Sequence, residues 1–422
     1  MLRSLKSLAG ATMALGLTVG LADAQVLFWS NQAVPVEETQ KMREQVLKNF
    51  AGGADFQPQD PGPFITRIEA ERTAGSGTIG VVGALHGELA TYTDSWIDLS
   101  DIDLSGITVS PAFLELGKLG TNEQKYLPWM QANYVMAANK QALQYLPDGA
   151  DLNALSYDDL IAWSKAIAEA TGSPKFGFPA GPKGLKHRFF QGFLLPAFTG
   201  SEVTKFRSAE AEGAWNTFKE LWQYTNPAST NYDFMQEPLL TGDVWVAFDH
   251  IARLGEAFNQ KPDDFVAFPA PAGPEGRAFM PVLAGLAIPS WSPDIASAKA
   301  LVQYMMQPEQ QVATLLATTF FPVTDAPLPA ELPPAARALG PAITTMAGSA
   351  DALPALLPVG LGDKGGQFNQ VYIDTFERIV LGNQDVRQVL DQEAEVLRGI
   401  MNDTGAPCWV PDAVSEGACP VE

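Results

Sequence analysis

Two close pairs of carboxylates are the residues whose spacing comes nearest to catalytic chemistry. Glu69 with Glu71, and Asp263 with Asp264, could supply the acid and the base of glycoside hydrolysis. Glu69 and Glu71, however, lie two residues apart on a predicted helix and do not face each other, and the aspartates fall in a predicted exposed turn. The sequence also contains no G-x-S-x-G, H-E-x-x-H or G-x-x-x-x-G-K-[ST] motif. A carbohydrate-active enzyme, either a glycoside hydrolase or a lyase, therefore stays only as an alternative.

Histidine and cysteine are too scarce to build a metal centre of the usual kind. The chain has three His and two Cys, although carboxylates could still bind a hard cation. We predict no metal site and no cofactor. Cys408 and Cys419 lie in a C-terminal segment rich in proline and glycine. No histidine is nearby in sequence, so we expect a local disulfide between them in an oxidising compartment.

Polar side chains follow two apolar segments near the N-terminus, where strands of a sheet would end. The candidates are Trp29, Asn31 and Gln32 after the first segment, and His86 and Glu88 after the run G-V-V-G-A-L at 80–85. Ligands bind beyond the carboxyl ends of strands in open α/β sheets, so these residues could form one rim of a binding site. The alternatives are a core position for Trp29 and an ordinary solvated turn for His86 and Glu88.

A second group of polar residues lies in the middle of the chain. Asp249, His250 and Arg253 directly follow the apolar run at 244–248, although Asp249 could instead cap the next helix. His187 and Arg188, with Lys186 before them, form a basic cluster among phenylalanines. A solvated helix face is the more frequent explanation of such a cluster, whereas a cluster that faced the ligand would favour an anionic one.

Composition limits the class of protein. The 422 residues carry a net charge of −21, with 46% hydrophobic and 18% charged residues. The length allows two or three domains with sizeable cores and the composition is not that of a disordered chain. The shortage of Lys and Arg argues against binding to nucleic acid or to anionic membranes. These properties are typical of a soluble monomer.

The N-terminus has the pattern of a secretory signal peptide. Arg3 and Lys6 precede a short apolar run at 8–21, and Ala22-Asp23-Ala24 is a small-x-small cleavage site. The apolar run is too short for the alternative, a membrane anchor. We expect cleavage after Ala24 and export to the periplasm, which removes two cations and one anion.

The order of predicted elements indicates an open α/β sheet. A strand at 25–29 is followed by helices at 35–50 and 64–73 and by a buried strand at 80–85. Further along, an extended segment is predicted at 126–139, a strand at 282–289 and one long helix at 292–316. No fixed-period repeat is present.

Several motifs, taken together, resemble the extracellular solute-binding proteins of bacterial ABC importers, in particular the carbohydrate-binding group that includes the maltose-binding protein. The motifs cover the mature chain in order: V-L-F-W at 26–29, L-P-W-M-Q-A-N-Y-V-M-A-A-N-K at 127–140, L-L-T-G-D-V-W-V-A-F-D at 239–249, F-P-A-P-A-G-P at 268–274, A-G-L-A-I at 284–288, and P-E-Q at 308–310 before Pro322. The order and spacing of the motifs together carry the resemblance.

The resemblance implies a two-lobed α/β fold of the type II periplasmic-binding-protein kind, with hinge strands and a ligand cleft between the lobes. We expect lobe 1 from residues 25–130 plus 284–322 and lobe 2 from 131–283 plus 323–402. The tail at 403–422, with its cysteines, is then an appendage.

The resemblance also implies function. The expected protein captures a sugar, polyol or sugar acid without chemistry and delivers it to an inner-membrane permease driven by a cytoplasmic ATPase. Aromatic platforms and planar polar groups would hold such a ligand. By position in the family's pattern, Ala284, Gly285, Gln367, Phe368 and Asn369 join the candidates, Phe368 being equally interpretable as core. The Gly-Gly-Trp common in relatives is absent at 284–285.

Overall fold

The computed structural model describes residues 25–33 and 36–422, without the side chains of Pro61 and Ala112. The predicted signal peptide therefore lies outside the described residues. Within the described part of the chain, no helix is long and apolar enough to cross a membrane.

The first sheet has five strands in the order β2-β1-β3-β10-β4. Strand β1 pairs in parallel with β2 and β3, whereas β10 runs antiparallel to both β3 and β4. The strands are rich in buried apolar residues, since helices cover the sheet. Their bounds are β1 Val26–Ser30, β2 Ala54–Pro58, β3 Ile79–Leu85, β4 Leu127–Ala132 and β10 Val282–Ala287.

The second sheet has four strands in the order β6-β7-β5-β8, and β9 pairs with β11 in a separate ribbon. Strand β5 follows β4 after one residue and runs antiparallel to β7 and β8. The chain therefore passes directly from one sheet to the other. The bounds are β5 Tyr134–Asn139, β6 Phe176–Gly177, β7 Val246–His250, β8 Phe265–Phe268, β9 Arg277–Phe279 and β11 Ala352–Pro354.

Helices pack on both sheets. The α-helices are α1 Val36–Lys41, α2 Pro61–Ala74, α3 His86–Thr91, α4 Pro111–Gly117, α5 Tyr157–Thr171, α6 Lys186–Phe189, α7 Leu195–Thr199, α8 Ala209–Trp222, α9 Gln236–Thr241, α10 Gly255–Gln260, α11 Ile295–Met306, α12 Pro308–Thr318, α13 Pro334–Gly348, α14 Gly365–Phe376 and α15 Val386–Thr404. Short π-helical segments follow α1, α6 and α14 at Met42–Val46, Phe190–Leu194 and Glu377–Leu381, and 3₁₀ turns occur at Thr93–Ser95, Lys140–Tyr145, Pro227–Asn231, Ile251–Arg253 and Gly362–Lys364.

Two hydrophobic cores, one for each large sheet, make the molecule two-lobed, as predicted. The first contains the aromatic cluster of Phe28, Phe56 and Trp129, and the second contains a larger set of rings around Phe178 and Phe189. Along the chain, the buried residues pass from the first core to the second between 130 and 132 and return to the first between 282 and 283. They pass to the second core again after 323. The chain thus crosses between the lobes three times, while the exact predicted boundaries stay a prediction.

Three elements differ from the sequence prediction. Strand β2 was not predicted, because only Phe56 is buried in it and a proline ends it at the sheet edge. The long helix expected at 292–316 is broken into α11 and α12, since Pro308 cannot continue the first helix and instead begins the second. The helix expected at 35–50 is α1 followed by a π-helical turn.

The C-terminal tail is part of the second core and not the appendage that we expected. Cys408 and Cys419 form the predicted disulfide. Between them, Trp409 is 5% exposed and its indole nitrogen donates to the Glu202 carboxylate at 2.7 Å. Asp412 accepts three backbone N–H groups of residues 202–204, at 2.8 to 3.0 Å. Long-range hydrogen bonds therefore fix the tail.

Candidate functional site

A cleft of about 830 Å³ separates the two lobes. Its size lies in the range typical of small-molecule sites. The first lobe contributes residues of α2, the end of β3 and α3; the second contributes α6, the segment 357–363 and the start of α14. The lining residues are Ile65, Glu69, Leu85, Gly87, Glu88, Thr91, Tyr92, Arg188, Leu357, Pro358, Leu361, Gly362, Asp363, Gly365, Gly366 and Asn369.

The outer part of the first wall combines apolar, aromatic and acidic groups. Ile65 and Glu69 lie four residues apart and so share one face of α2. The Glu69 carboxylate forms an ion pair with Arg72 at 2.8 Å. Beside it, burial and then the charge of Glu69 raise the pKa of Tyr92 to about 12. Tyr92 thus presents a neutral phenol and an aromatic ring to the cleft.

Glu88 is the inner acid of the first wall. It occupies the third position of α3, and its carboxylate accepts the backbone N–H of Leu85 at 3.0 Å, which helps to cap the helix. Burial raises its pKa, while a hydrogen bond from Asn31 and the charge of Arg188 act in the opposite direction. The hydrogen bond from the Leu85 backbone therefore positions the Glu88 carboxylate, and the Asn31 side chain forms a further hydrogen bond with it.

Arg188 and Asn369 are two polar groups of the second wall, and the buried amide of Gln191 links them. Arg188 donates through Nη1 to the Gln191 Oε1 at 3.2 Å, and Gln191 donates through Nε2 to the Asn369 Oδ1 at 2.9 Å. Gln191 is fully buried. This chain of hydrogen bonds fixes side chains from α6 and α14 on the same wall.

The two walls touch at the side of Glu88. A Cβ atom placed on Gly87 would lie 2.4 Å from the carbonyl oxygen of Pro358, so only glycine permits this approach of the lobes. The segment 355–364 that carries Pro358 is in turn tied to the tail, because the Leu356 N–H donates to the Val410 carbonyl at 2.8 Å.

Of the predicted residues in the first lobe, Glu88 lines the cleft and Asn31 supports it, while the others lie elsewhere. Gln32 donates to the Asn31 side chain at 2.8 Å without lining the cleft. Trp29 is buried, donates to the Phe64 carbonyl and packs under Arg67, which is the core alternative.

His86 is buried and bonds the Tyr126 hydroxyl at 2.8 Å. Ala284 is buried in β10, and Gly285 makes room for the Tyr126 ring.

Arg188 and Asn369 are the predicted residues of the second lobe that line the cleft. Three others form hydrogen bonds with nearby backbone groups. Asp249 accepts the N–H groups of Met235 and His250. His250 accepts the N–H of Ala252, and Arg253 donates to the carbonyls of Lys183 and Asp233. Asp249 is therefore not the helix cap considered as its alternative. The remaining three do not line the cleft: Phe368 is core, Gln367 is exposed, and the Nδ1 of His187 is buried without a hydrogen-bond partner among the described residues.

The buried His86 makes stability depend on pH. Burial lowers its pKa from 6.5 to about 4. Between these values the unfolded chain binds a proton that the folded protein does not, so the stability from neutral His86 is complete above pH 6.5 and is lost as the pH falls towards 4. We expect the stability advantage of the native protein over a His86→Gln variant to shrink by up to about 3 kcal/mol over this range.

Urea unfolding of both proteins at pH 7.0, 5.5 and 4.5 measures this difference. Asp249, whose pKa burial raises to about 7, and His250, whose pKa burial lowers to about 3, titrate in both proteins and so cancel. If the difference in unfolding free energy between the native protein and the His86→Gln variant stayed constant with pH, burial would not lower the pKa of His86.

Sequence reasoning missed Ile65 and Glu69 as cleft residues, since Glu69 was considered only as one of a catalytic pair. It also missed Tyr92 and the segment 357–363. The first two could have been found from their spacing of four on α2, next to a strand end. Tyr92 follows Glu88 by one helical turn, which is a similar signal. The segment 357–363 has no such signal, because it consists mainly of Leu, Pro and Gly.

The arrangement is that of a site for a polar molecule with many hydrogen-bonding groups. An aromatic ring, carboxylates, an amide and a guanidinium from two lobes can accept and donate hydrogen bonds to one ligand. Among the described residues there is no group of three or more His, Cys, Asp or Glu side chains that could hold a metal ion.

The family described as bacterial extracellular solute-binding protein matches residues 56–337, about two thirds of the sequence. No curated protein matches the sequence.

Solved structures of similar shape are two-lobed binding proteins. Maltose-bound MalE3 of T. maritima has a TM-score of 0.69 at 16% identity, over 89% of this chain and 99% of that one. The sugar-binding protein MalE of Xanthomonas citri has a TM-score of 0.67 at 17% identity, over 89% and 97%. UgpB of Mycobacterium tuberculosis, in complex with glycerophosphocholine, has a TM-score of 0.68 at 17% identity, over 90% and 99%. These likenesses show the fold.

Proposed function

Because the chain belongs to the bacterial extracellular solute-binding protein family, we propose that it captures a carbohydrate or carbohydrate-like solute for an ABC importer. The ligand is a sugar, a polyol or a sugar acid. The observation that carries the proposal is the cleft between the lobes, where Tyr92 and Glu88 of one wall face Arg188 and Asn369 of the other. Sugars need both an aromatic face and planar polar groups.

Capture follows from the placement of these groups on separate lobes. A ligand that contacts both walls binds the closed arrangement better than an open one and so shifts the population towards it. The likeness to the maltose-bound protein of T. maritima and to the glycerophosphocholine complex supports a hydroxyl-bearing solute.

The family is extracellular, so the protein acts outside the cytoplasm. More specifically, we propose a periplasmic monomer released by cleavage after Ala24. The loaded form docks on an inner-membrane permease with its cytoplasmic ATPase. It binds no nucleic acid, uses no cofactor and performs no catalysis.

A thermal-shift screen of the mature protein against sugars, polyols, sugar acids and amino acids tests the proposal. A ligand at ~100 times its dissociation constant stabilises the folded state by about 2.7 kcal/mol. Stabilisation by one carbohydrate class, with the compound recovered unchanged after incubation, supports capture. Stabilisation only by amino acids overturns the carbohydrate assignment, and conversion of the compound overturns the binding-only role in favour of the enzyme.

Glu88→Gln is expected to weaken binding of a compound identified in this way by up to about tenfold, since a hydrogen bond contributes about 0.5–1.5 kcal/mol. Glutamine can still accept the Leu85 N–H, so the helix cap and the melting temperature without ligand should be retained. Calorimetry measures the affinity, and the control is the same substitution at the exposed Glu331, outside the cleft. Equal affinities for the two variants would remove Glu88 from the site.

A further inference from the structure

Arg188 is a cation in the cleft with no ion-pair partner among the described residues. Its side chain is partly buried, and no carboxylate oxygen of the described residues lies within 4.0 Å of its nitrogens. Of its five N–H donors, one is used within the described part of the chain, for the contact with Gln191. Partial burial of an unpaired charge is costly. Four donors remain for a ligand.

The other cations around Arg188 are used by the protein itself. Lys186 donates to the carbonyls of Ala180 and Gly181 at 3.2 and 3.1 Å. Arg253 donates to two further carbonyls and lies over the Phe234 ring. These carbonyls carry no net charge, so the hydrogen bonds to them do not neutralise Lys186 and Arg253.

The charges of the same three cations act on the pKa of the neighbouring His187. Burial lowers its pKa well below the usual value, and the charges of Arg188, Lys186 and Arg253 lower it further. The imidazole is therefore neutral and adds no positive charge of its own.

The acids near Arg188 do not neutralise it by direct contact. Glu69 is paired with Arg72, and Glu88 is bonded by the Leu85 N–H. Glu202 lies behind the wall, where its carboxylate accepts the Trp409 indole N–H. Asp363 is exposed at the rim of the cleft. None of the four forms an ion pair with the guanidinium.

Resting on the proposed function, we propose that the ligand is an acidic carbohydrate or polyol, whose carboxylate or phosphate binds Arg188. A guanidinium matches both anions, because its parallel N–H groups donate to two oxygens at once. The hydroxyl groups of the same ligand reach the Glu88 and Asn369 side chains. Arg188 is then the residue that selects the acidic compound over its neutral counterpart.

Calorimetry with matched probes tests this assignment. The probes are D-galactose with D-galacturonate for the carboxylate, and D-glucose with D-glucose 6-phosphate and glycerol with glycerol 3-phosphate for the phosphate. Each is titrated into the mature protein, into Arg188→Gln, and into Arg387→Gln. The last variant removes one positive charge from the exposed part of α15, where Arg387 pairs with Asp391.

We expect the acidic member of at least one pair to bind the native protein about tenfold to a hundredfold more tightly than the neutral member. Arg188→Gln should abolish that preference by weakening the acidic member far more than the neutral member, while Arg387→Gln should change neither affinity. The series in which the preference occurs identifies the carboxylate or the phosphate as the anion.

Two results would overturn the proposal. If a neutral sugar binds as tightly as its acid, or if Arg188→Gln weakens both members equally, Arg188 binds hydroxyl groups and capture of a neutral carbohydrate still stands. If none of the six probes binds and the broad screen also finds no carbohydrate or polyol, the proposed function falls together with this inference.

Discussion

Gly87→Ala is expected to hold the lobes apart and to weaken ligand binding by about tenfold or more, which is about 1.4 kcal/mol. The added Cβ would lie 2.4 Å from the Pro358 carbonyl oxygen, a distance that real Cβ contacts essentially never show. The opposing atom belongs to the backbone and cannot rotate away, so the walls must separate. A ligand that bridges Glu88 and Arg188 then loses part of its contacts, since packed interfaces respond to small displacements.

Gly366→Ala is the matched control. Gly366 also lines the cleft and is also the second residue of a helix, but a Cβ placed there has nothing within 4 Å. Both substitutions favour the helical backbone, so both proteins should fold. Calorimetry gives the affinity, and small-angle scattering of the ligand-saturated proteins gives the separation of the lobes. Equal affinities for the two variants would show that the contact at Gly87 is not part of the bound state.

Trp409→Ala should reduce the free energy of unfolding by about 3–5 kcal/mol, as truncation of a buried aromatic residue does. Trp409 is 5% exposed, and its ring packs against Phe368 with centroids 5.5 Å apart. Its indole N–H is the hydrogen-bond partner of the buried Glu202, whose other carboxylate oxygen has no partner among the described residues. Removing the indole leaves a buried acid without a donor.

Ligand affinity should fall together with stability in the Trp409 variant. The neighbouring Val410 carbonyl accepts the Leu356 N–H, and Leu356 adjoins the cleft residues Leu357 and Pro358. The control is Val414→Ala in the same disulfide loop, where the side chain is 88% exposed and a change within 0.5 kcal/mol is expected. Urea unfolding and calorimetry measure the two effects. A loss below about 1 kcal/mol for Trp409→Ala would show that the tail is dispensable for the second core.

The fold was predictable where the sequence pattern is strong. The apolar runs that became β1 and β3, and the continuous extended segment that became β4 and β5, follow directly from uninterrupted buried residues. Strand β2 could not be predicted, because a single buried Phe56 sets no periodicity. The docking of the tail could not be predicted either, because its polar residues follow no pattern. Residues 201–204, which the tail contacts, lie about 200 positions earlier in the sequence.

The candidate site was predictable only in part, since position after a strand does not fix the direction of a side chain. Glu88 faces the cleft, yet His86, two residues earlier, turns inwards to the Tyr126 hydroxyl. Asp249 near the end of β7 and Arg253 just after that strand do not line the cleft for another reason. Their side chains form hydrogen bonds with nearby backbone groups. Arg188 was identified from its basic cluster, although nothing in the cluster distinguishes it from Lys186.

The position of β10 between β3 and β4 has a consequence for how the molecule assembles. In space β10 completes the first sheet, but along the chain it comes after β5, β7 and β8 of the second sheet. Until residues 282–287 have been synthesised, β4 has no partner in its own sheet. Pairing across such a separation is intrinsically slow. The first lobe therefore stays incomplete through most of translation, whereas the strands that complete the second sheet are all made earlier.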